Sequence, residues 1–186
     1  MVQDGRGGMS AAADLRGGAA FAELLAVPER AGRDSLQVQG PGGNSSLKAG
    51  GLMAIKASGA WLAEAREREI MVTVDLDRLR AAIHAGDPAV ETPASFVADD
   101  AANGGLRPSI ETAVHAVLDH PVVLHTHCVE TIAVAARRDA EEVVRERLGA
   151  LDAVFTPYVK PGADLARSIA ARANAETRVV VLGNHG

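Results

Sequence analysis

A core for this chain has to be assembled almost without aromatic rings. Its 186 residues include three Phe, one Tyr and one Trp, although 47% of them are apolar. Burial must come from Ala, Val, Leu and Ile, which suit helices packed on a sheet better than an aromatic-rich β-sandwich. The length suffices for one domain with a substantial core and is short for two.

The net charge is −5, and Lys and Arg are scattered along the chain. Nucleic-acid binding calls for a basic stripe or patch, and none is visible. Cys128 is the only cysteine, which excludes an internal disulfide framework. No apolar run approaches the roughly 20 residues that cross a bilayer. Residues 1–8 are Gly-rich and polar, without the apolar stretch of a signal peptide. Residues 1–10 therefore read as a disordered or non-native extension, with Met9 an alternative start, and residues 11–186 as a single domain. A cytoplasmic enzyme is the expectation.

Ala and Leu at helical spacing predict an opening helix over residues 11–30, and the breaker cluster at 40–44 predicts a loop. Strands are expected at 46–48 and 52–56, turning at Ala49-Gly50-Gly51, and again at 70–74. Asp75 or Asp77 should start a helix to about His84. The stretch 86–106, rich in Asp, Ala, Pro and Gly, reads as a surface loop or flap. Ser109 is a candidate N-cap for a helix whose apolar face is Ile110, Ala113, Val114, Val117 and Leu118. A buried strand then runs from Val122 into His125-Thr126-His127. Helices at 130–137, 140–148 and 162–173, with strands at 153–155 and 178–182, complete an α/β/α or α+β sandwich.

Two apolar strands end in histidine. Residues two apart on a strand share a face, so His125 and His127 can reach one ion, although a polar strand end would look the same. Val179-Val180-Val181-Leu182 leads to a Gly-flanked turn that presents His185. Three imidazoles would make an open catalytic zinc site, with a fourth position for water or substrate. A structural site would more commonly be closed by four ligands, often cysteines. Glu111, in the first turn of its helix, fits a solvated carboxylate, and with His115 at i, i+4 a second ligand pair. His115 fits equally well as a satisfied, partly buried histidine. The small-polar loops 42–46 and 57–59, with Ser109 at a helix start, suggest a phosphate or carboxylate pocket.

In order along the chain stand Gly43-Asn44-Ser45-Ser46, Lys56-Ala57-Ser58-Gly59 and Pro108-Ser109-Ile110-Glu111. His125-Thr126-His127 follows, then Pro157-Tyr158, Gly162 with Asp164-Leu165-Ala166, and Asn184-His185-Gly186. This series resembles the class II aldolase/adducin family, and within it the fuculose- and rhamnulose-phosphate aldolase domains. The resemblance implies a three-layer α/β/α sandwich with a central, mainly antiparallel sheet, assembled as a homotetramer.

By position, the same resemblance implies that His125, His127 and His185 bind Zn2+, other divalent transition metals being open, and that Glu111 is the acid/base. Asn44, Ser58, Gly59 and Ser109 would hold the substrate phosphate. Tyr158 would protonate the leaving aldehyde from a neighbouring subunit. The implied activity is a lyase that cleaves or forms a C–C bond in a ketose or ketose phosphate through a zinc-stabilised enediolate. Epimerisation or decarboxylation on the same site, or a non-catalytic adducin-like binding domain, are the alternatives. Small-molecule sugars are the implied partners, with neither nucleic acid nor membrane.

Two departures stand out. Ile110 occupies a position where sugar-phosphate aldolases commonly carry a second serine. Family members also continue with further strand and helix past the third histidine, so the domain reads as truncated at Gly186 or as carrying an incomplete site.

Overall fold

The computed structural model describes residues 11–98 and 104–186. The expected extension over 1–10 and the centre of the 86–106 segment lie outside the described residues. In chain order the helices are α1 (Ala11–Gly17), α2 (Ala19–Gly32), α3 (Leu76–Ala85), α4 (Thr112–Val117), α5 (Val129–Ala135), α6 (Ala140–Leu148) and α7 (Ala163–Ala170). The strands are β1 (Asn44–Ala49), β2 (Leu52–Lys56), β3 (Met71–Asp75), β4 (Val122–His125), β5 (Ala153–Thr156) and β6 (Val179–Leu182).

A central antiparallel sheet takes the order β3-β2-β1-β4. Its first hairpin pairs Ala49 with Leu52 across Gly50 and Gly51, at φ 56° and 76°. Two consecutive positive φ values match the twist of the flanking strands, and glycine adopts them without penalty. The β2 strand shows how the layers arise. Met53 and Ile55 point to one face and Ala54 to the other, and all three are fully buried. On the first face they join Val74, Leu79, Ala113, Ala166 and Ile169, contributed by β3, α3, α4 and α7. On the second, Ala54 and Leu47 meet Phe21 and Leu24 of α2. Helices thus cover both faces of the sheet.

The remaining strands form a separate two-stranded parallel sheet, β5 with β6, in register from Ala153↔Val179 to Thr156↔Leu182. Helices α5 and α6 cover it through Ala135 and Val144, packed on Val181. Among the described strands, β4 pairs only with β1, and Val122 and Leu124 stay partly exposed at its other edge.

Several local expectations change in the fold. The opening helix is two helices, because Gly18 takes an extended conformation (φ −77°, ψ 155°) between them. Asn44 lies in β1 rather than in the preceding loop, since the sheet extends two residues further than expected. Asp75, not Asp77, starts α3, accepting the Arg78 N–H at 2.9 Å. The described part of 86–106 is no free flap. Pro88 and Pro93 begin short 3-10 turns that bury Val90 and Phe96, and Val97 bridges back to Val74. Helix α4 begins at Thr112, and Ile110 is 65% exposed instead of belonging to its apolar face.

Candidate metal centre

The two sheets meet at histidine. His125 is the last residue of β4, whereas Thr126 and His127 lie beyond the strand, so the pair is not carried by one regular β-segment as expected. The irregular step is held from the side. The His127 N–H donates to the Gln37 carbonyl at 2.9 Å, and the Gln39 amide donates to the His127 carbonyl at 3.2 Å. Gly42 packs against the ring: a Cβ there would lie 2.7 Å from His127 Nδ1, closer than any side chain tolerates.

His185 arrives from the other sheet. After β6 the chain turns through Gly183 and Asn184, the latter left-handed at φ 60°. The Gly183 N–H donates to Thr156 and that of Asn184 to Ala135, which locks the turn onto β5 and α5. A Cβ on Gly183 would meet the Tyr158 backbone nitrogen at 2.8 Å, so glycine is needed for that approach.

The outcome is a convergence of three imidazoles. His125 Nε2 lies 3.1 Å from His127 Nε2 and 3.1 Å from His185 Nε2. One ring nitrogen can share a single proton, so it cannot satisfy two such neighbours by hydrogen bonding. A cation can. Nitrogens at 2.0–2.1 Å from one tetrahedral zinc lie roughly 3.3–3.4 Å apart, close to this spacing. Protonation states also suit a ligand role. Burial, opposed by Glu111 and reinforced by the other two imidazoles, lowers His125 to about 4. Burial and then the neighbouring His185 lower His127. Both rings are therefore neutral near pH 7, the form that binds metal.

Glu111 stands over this cluster at the start of α4. Its Oε1 is 3.6 Å from His125 Nε2 and 3.7 Å from His185 Nε2, while Oε2 accepts a 2.6 Å hydrogen bond from the Asn44 amide. Asn44 and His125 are direct cross-strand partners, which brings the amide to the carboxylate. Ser109 joins the same group: its Oγ accepts from Asn44 Nδ2 and from the Glu111 N–H, each at 3.2 Å.

Other expected residues fall elsewhere. Tyr158 lines a cleft with Glu111, Asn184 and His185 and is 65% exposed. Ser58 and Gly59 open instead onto a different depression beside Trp61 and Arg68. The four residues expected to bind phosphate thus divide into two groups, Asn44 with Ser109 and Ser58 with Gly59. His115 is no second ligand for Glu111. It is fully buried with its Nδ1 2.7 Å from Ser46 Oγ, and burial holds its pKa well below the usual range.

Lys56 was not expected at the site. It is buried on β2, donates to the carbonyls of Pro41 and Ala60 at 2.8 and 2.6 Å, and ties together the loops on either side. Burial lowers it to about 8 against the pull of Glu111. The signal was available in a lysine that ends an otherwise apolar strand.

Residues 22–186 match the family described as Class II Aldolase and Adducin N-terminal domain. The chain belongs to that family. Members typically use a divalent metal, and the histidine triad supplies a place for one. The N-terminal class II aldolase domain of a conserved protein from Thermoplasma acidophilum superposes with a TM-score of 0.75 at 23% identity, covering 88% of this chain and 80% of that one. L-Fuculose-1-phosphate aldolase from Thermus thermophilus gives a TM-score of 0.54 at 20% identity, over 89% and 77%. At these identities the likeness is one of fold. In sequence, 82 residues are 34% identical to the uncharacterized oxidoreductase YuxG of Bacillus subtilis (strain 168), which is 43% of this chain and only 12% of that protein. No helix among the described residues is long and apolar enough to cross a membrane.

Proposed function

We propose that this protein is a zinc-dependent aldolase that cleaves or forms a C–C bond in a ketose or ketose phosphate. One observation carries the reading: three imidazoles converge in 3.1 Å steps while a carboxylate oxygen waits 3.6–3.7 Å away. His125, His127 and His185 would hold the ion, leaving a position for substrate. When bound, the cation supplies Lewis-acid polarisation of the substrate carbonyl.

The chain's own residues do the rest. The free Oε1 of Glu111 moves the proton at the carbon next to that carbonyl. The exposed hydroxyl of Tyr158, reaching the site of a neighbouring subunit, relays the proton at the aldehyde oxygen, which the sugar hydroxyl gives up as the C–C bond breaks and regains as it forms. Ser58 and Gly59, set apart beside Trp61, receive the far end of the sugar. We extend the proposal to a cytoplasmic homotetramer, in which Tyr158 serves a neighbouring subunit's site. A non-catalytic, adducin-like role is disfavoured by the intact triad and its carboxylate.

Glu111→Gln tests the assignment. It should retain stoichiometric zinc, measured by plasma emission, and lose about 10²–10⁴-fold in turnover on a panel of ketoses and ketose phosphates. Wild-type turnover in that variant would remove Glu111 from the chemistry. Product analysis on the same panel separates cleavage from epimerisation and decarboxylation, which use the same groups.

A further inference from the structure

We infer that Lys56 is a positioning residue for His127: its ammonium group fixes the loop that walls this imidazole, and so sets how tightly the triad grips an ion. The inference rests on the metal-binding reading above. Lys56 ends β2, a strand otherwise apolar from Leu52 to Ile55, and is 2% exposed. Its Nζ donates to the Pro41 carbonyl at 2.8 Å and to the Ala60 carbonyl at 2.6 Å. Pro41 leads directly into Gly42, which lies so close to His127 that a Cβ there would sit 2.7 Å from Nδ1. The ring therefore leans on a backbone wall, and the ammonium holds that wall in place. The second carbonyl belongs to the loop of Ser58 and Gly59, so one side chain couples both loops.

A clasp of this kind is costly to build, because a buried ammonium gives up its water for whatever partners the fold supplies. Both acceptors here are neutral carbonyls, and the carboxylate that attracts the charge is Glu111. Lys48 provides the internal comparison. It too is buried in the sheet and donates to two carbonyls, those of Leu118 and His120, at 2.6 and 2.9 Å. Burial lowers both lysines to about 8. Lys48 stands next to Ala49 at the hairpin end of β1, however, and Lys56 at the opposite end of β2. Similar chemistry at the two ends separates the loss of any buried lysine from the loss of one that braces the triad.

Cobalt(II) is the probe, since it accepts imidazole ligands and its visible bands report their geometry. Lys56→Met keeps the length of the side chain and removes its charge and donors. Cobalt(II) affinity should fall about 10-fold, the low end for residues that orient a metal ligand, and the bands should shift. Lys48→Met should stay within about 2-fold of the wild type, with its spectrum unchanged. Gly42→Ala presses on the same ring and should weaken binding as well. Combined with Lys56→Met it should cost less than the two losses added, because both act through one loop. Unchanged affinity and spectrum in folded Lys56→Met, an equal effect from Lys48→Met, or additive losses would each overturn the inference.

A second readout leaves Lys56 in place. The Gly42 and Ala60 amides donate to the Gln39 and Ala57 carbonyls, one in each clasped loop. Loss of the Lys56 proton removes the charge that strengthens both of its bonds. In metal-free protein, the two amides should therefore lose protection from hydrogen exchange together as the pH rises through about 8. The titratable groups around the ammonium are Glu111, at the start of α4, and the imidazoles of His125 and His127. The Lys48→Met protein should behave identically, which removes the other lysine that titrates there. Level protection, or a fall in one loop alone, would overturn the clasp. A wild-type chain that bound neither cobalt nor zinc would refute the metal reading, and the paired exchange would still decide whether Lys56 couples the loops.

Discussion

The antiparallel sheet and the parallel pair meet at one point but are built to different standards. In the first, Met53, Ala54, Ile55 and Val72 are fully buried, and helices close both faces. In the second, β6 is four residues long and Val179 and Val180 are only half-buried. Two imidazoles hang from the first unit and one from the second. An ion bound by all three would therefore stitch a well-packed element to a less covered one, and its binding energy would act on the weaker side.

Substitutions in the two sheets should expose this difference. The largest effect is expected at Ile55→Ala, whose buried side chain lies in the central cluster. Chemical denaturation should register a loss of about 2–5 kcal/mol. A loss below about 1 kcal/mol would mean that the antiparallel sheet is not the stable unit.

Acid should act next, on the same sheet. His115 and His125 have pKa values depressed below the usual 6.5 by burial, His125 to about 4. Below pH 6.5 the unfolded chain takes up protons that the folded chain refuses. The stability these rings confer is thus present above pH 6.5 and is lost as the pH falls toward 4. Denaturation of metal-free protein at pH 7, 6 and 5 should show a steady decline, and His115→Gln should flatten it.

Removing the cap of α3 by Asp75→Ala should cost about 1 kcal/mol, since the carboxylate accepts the Arg78 N–H. The smallest change belongs to the parallel pair: Val180→Ala, on a half-buried residue, should lower stability by less than about 1 kcal/mol. A larger loss there than at Ile55 would invert the comparison.

Much of this was legible in the sequence for identifiable reasons. The apolar runs before His125 and His185, and the glycines around the latter, reported strands that deliver side chains to one end. Both histidines arrived where the pattern put them. Elements were less faithful than motifs. The periodic run from residue 11 concealed a break, because a Gly-Gly pair interrupts α1 and α2 without disturbing apolar spacing. Val90 and Phe96 were hidden in a stretch whose Pro, Asp and Gly read as loop, though two apolar anchors were enough to dock it.

The site was partly opaque for a different reason. Small-polar loops mark backbone and hydroxyl groups without saying which partner they take. Asn44 and Ser109 are engaged with Glu111, whereas Ser58 and Gly59 face another depression. Such choices depend on which strands end side by side, and sequence spacing does not carry that information.

Zinc titration of metal-free wild-type, His127→Ala and His185→Ala proteins, followed by calorimetry and plasma emission, tests the central claim most directly. One tightly held ion per wild-type chain is expected, with a large loss of affinity in each variant, including the one altered on the parallel pair. Undiminished binding by His185→Ala, or a wild-type chain that holds no metal, would contradict it.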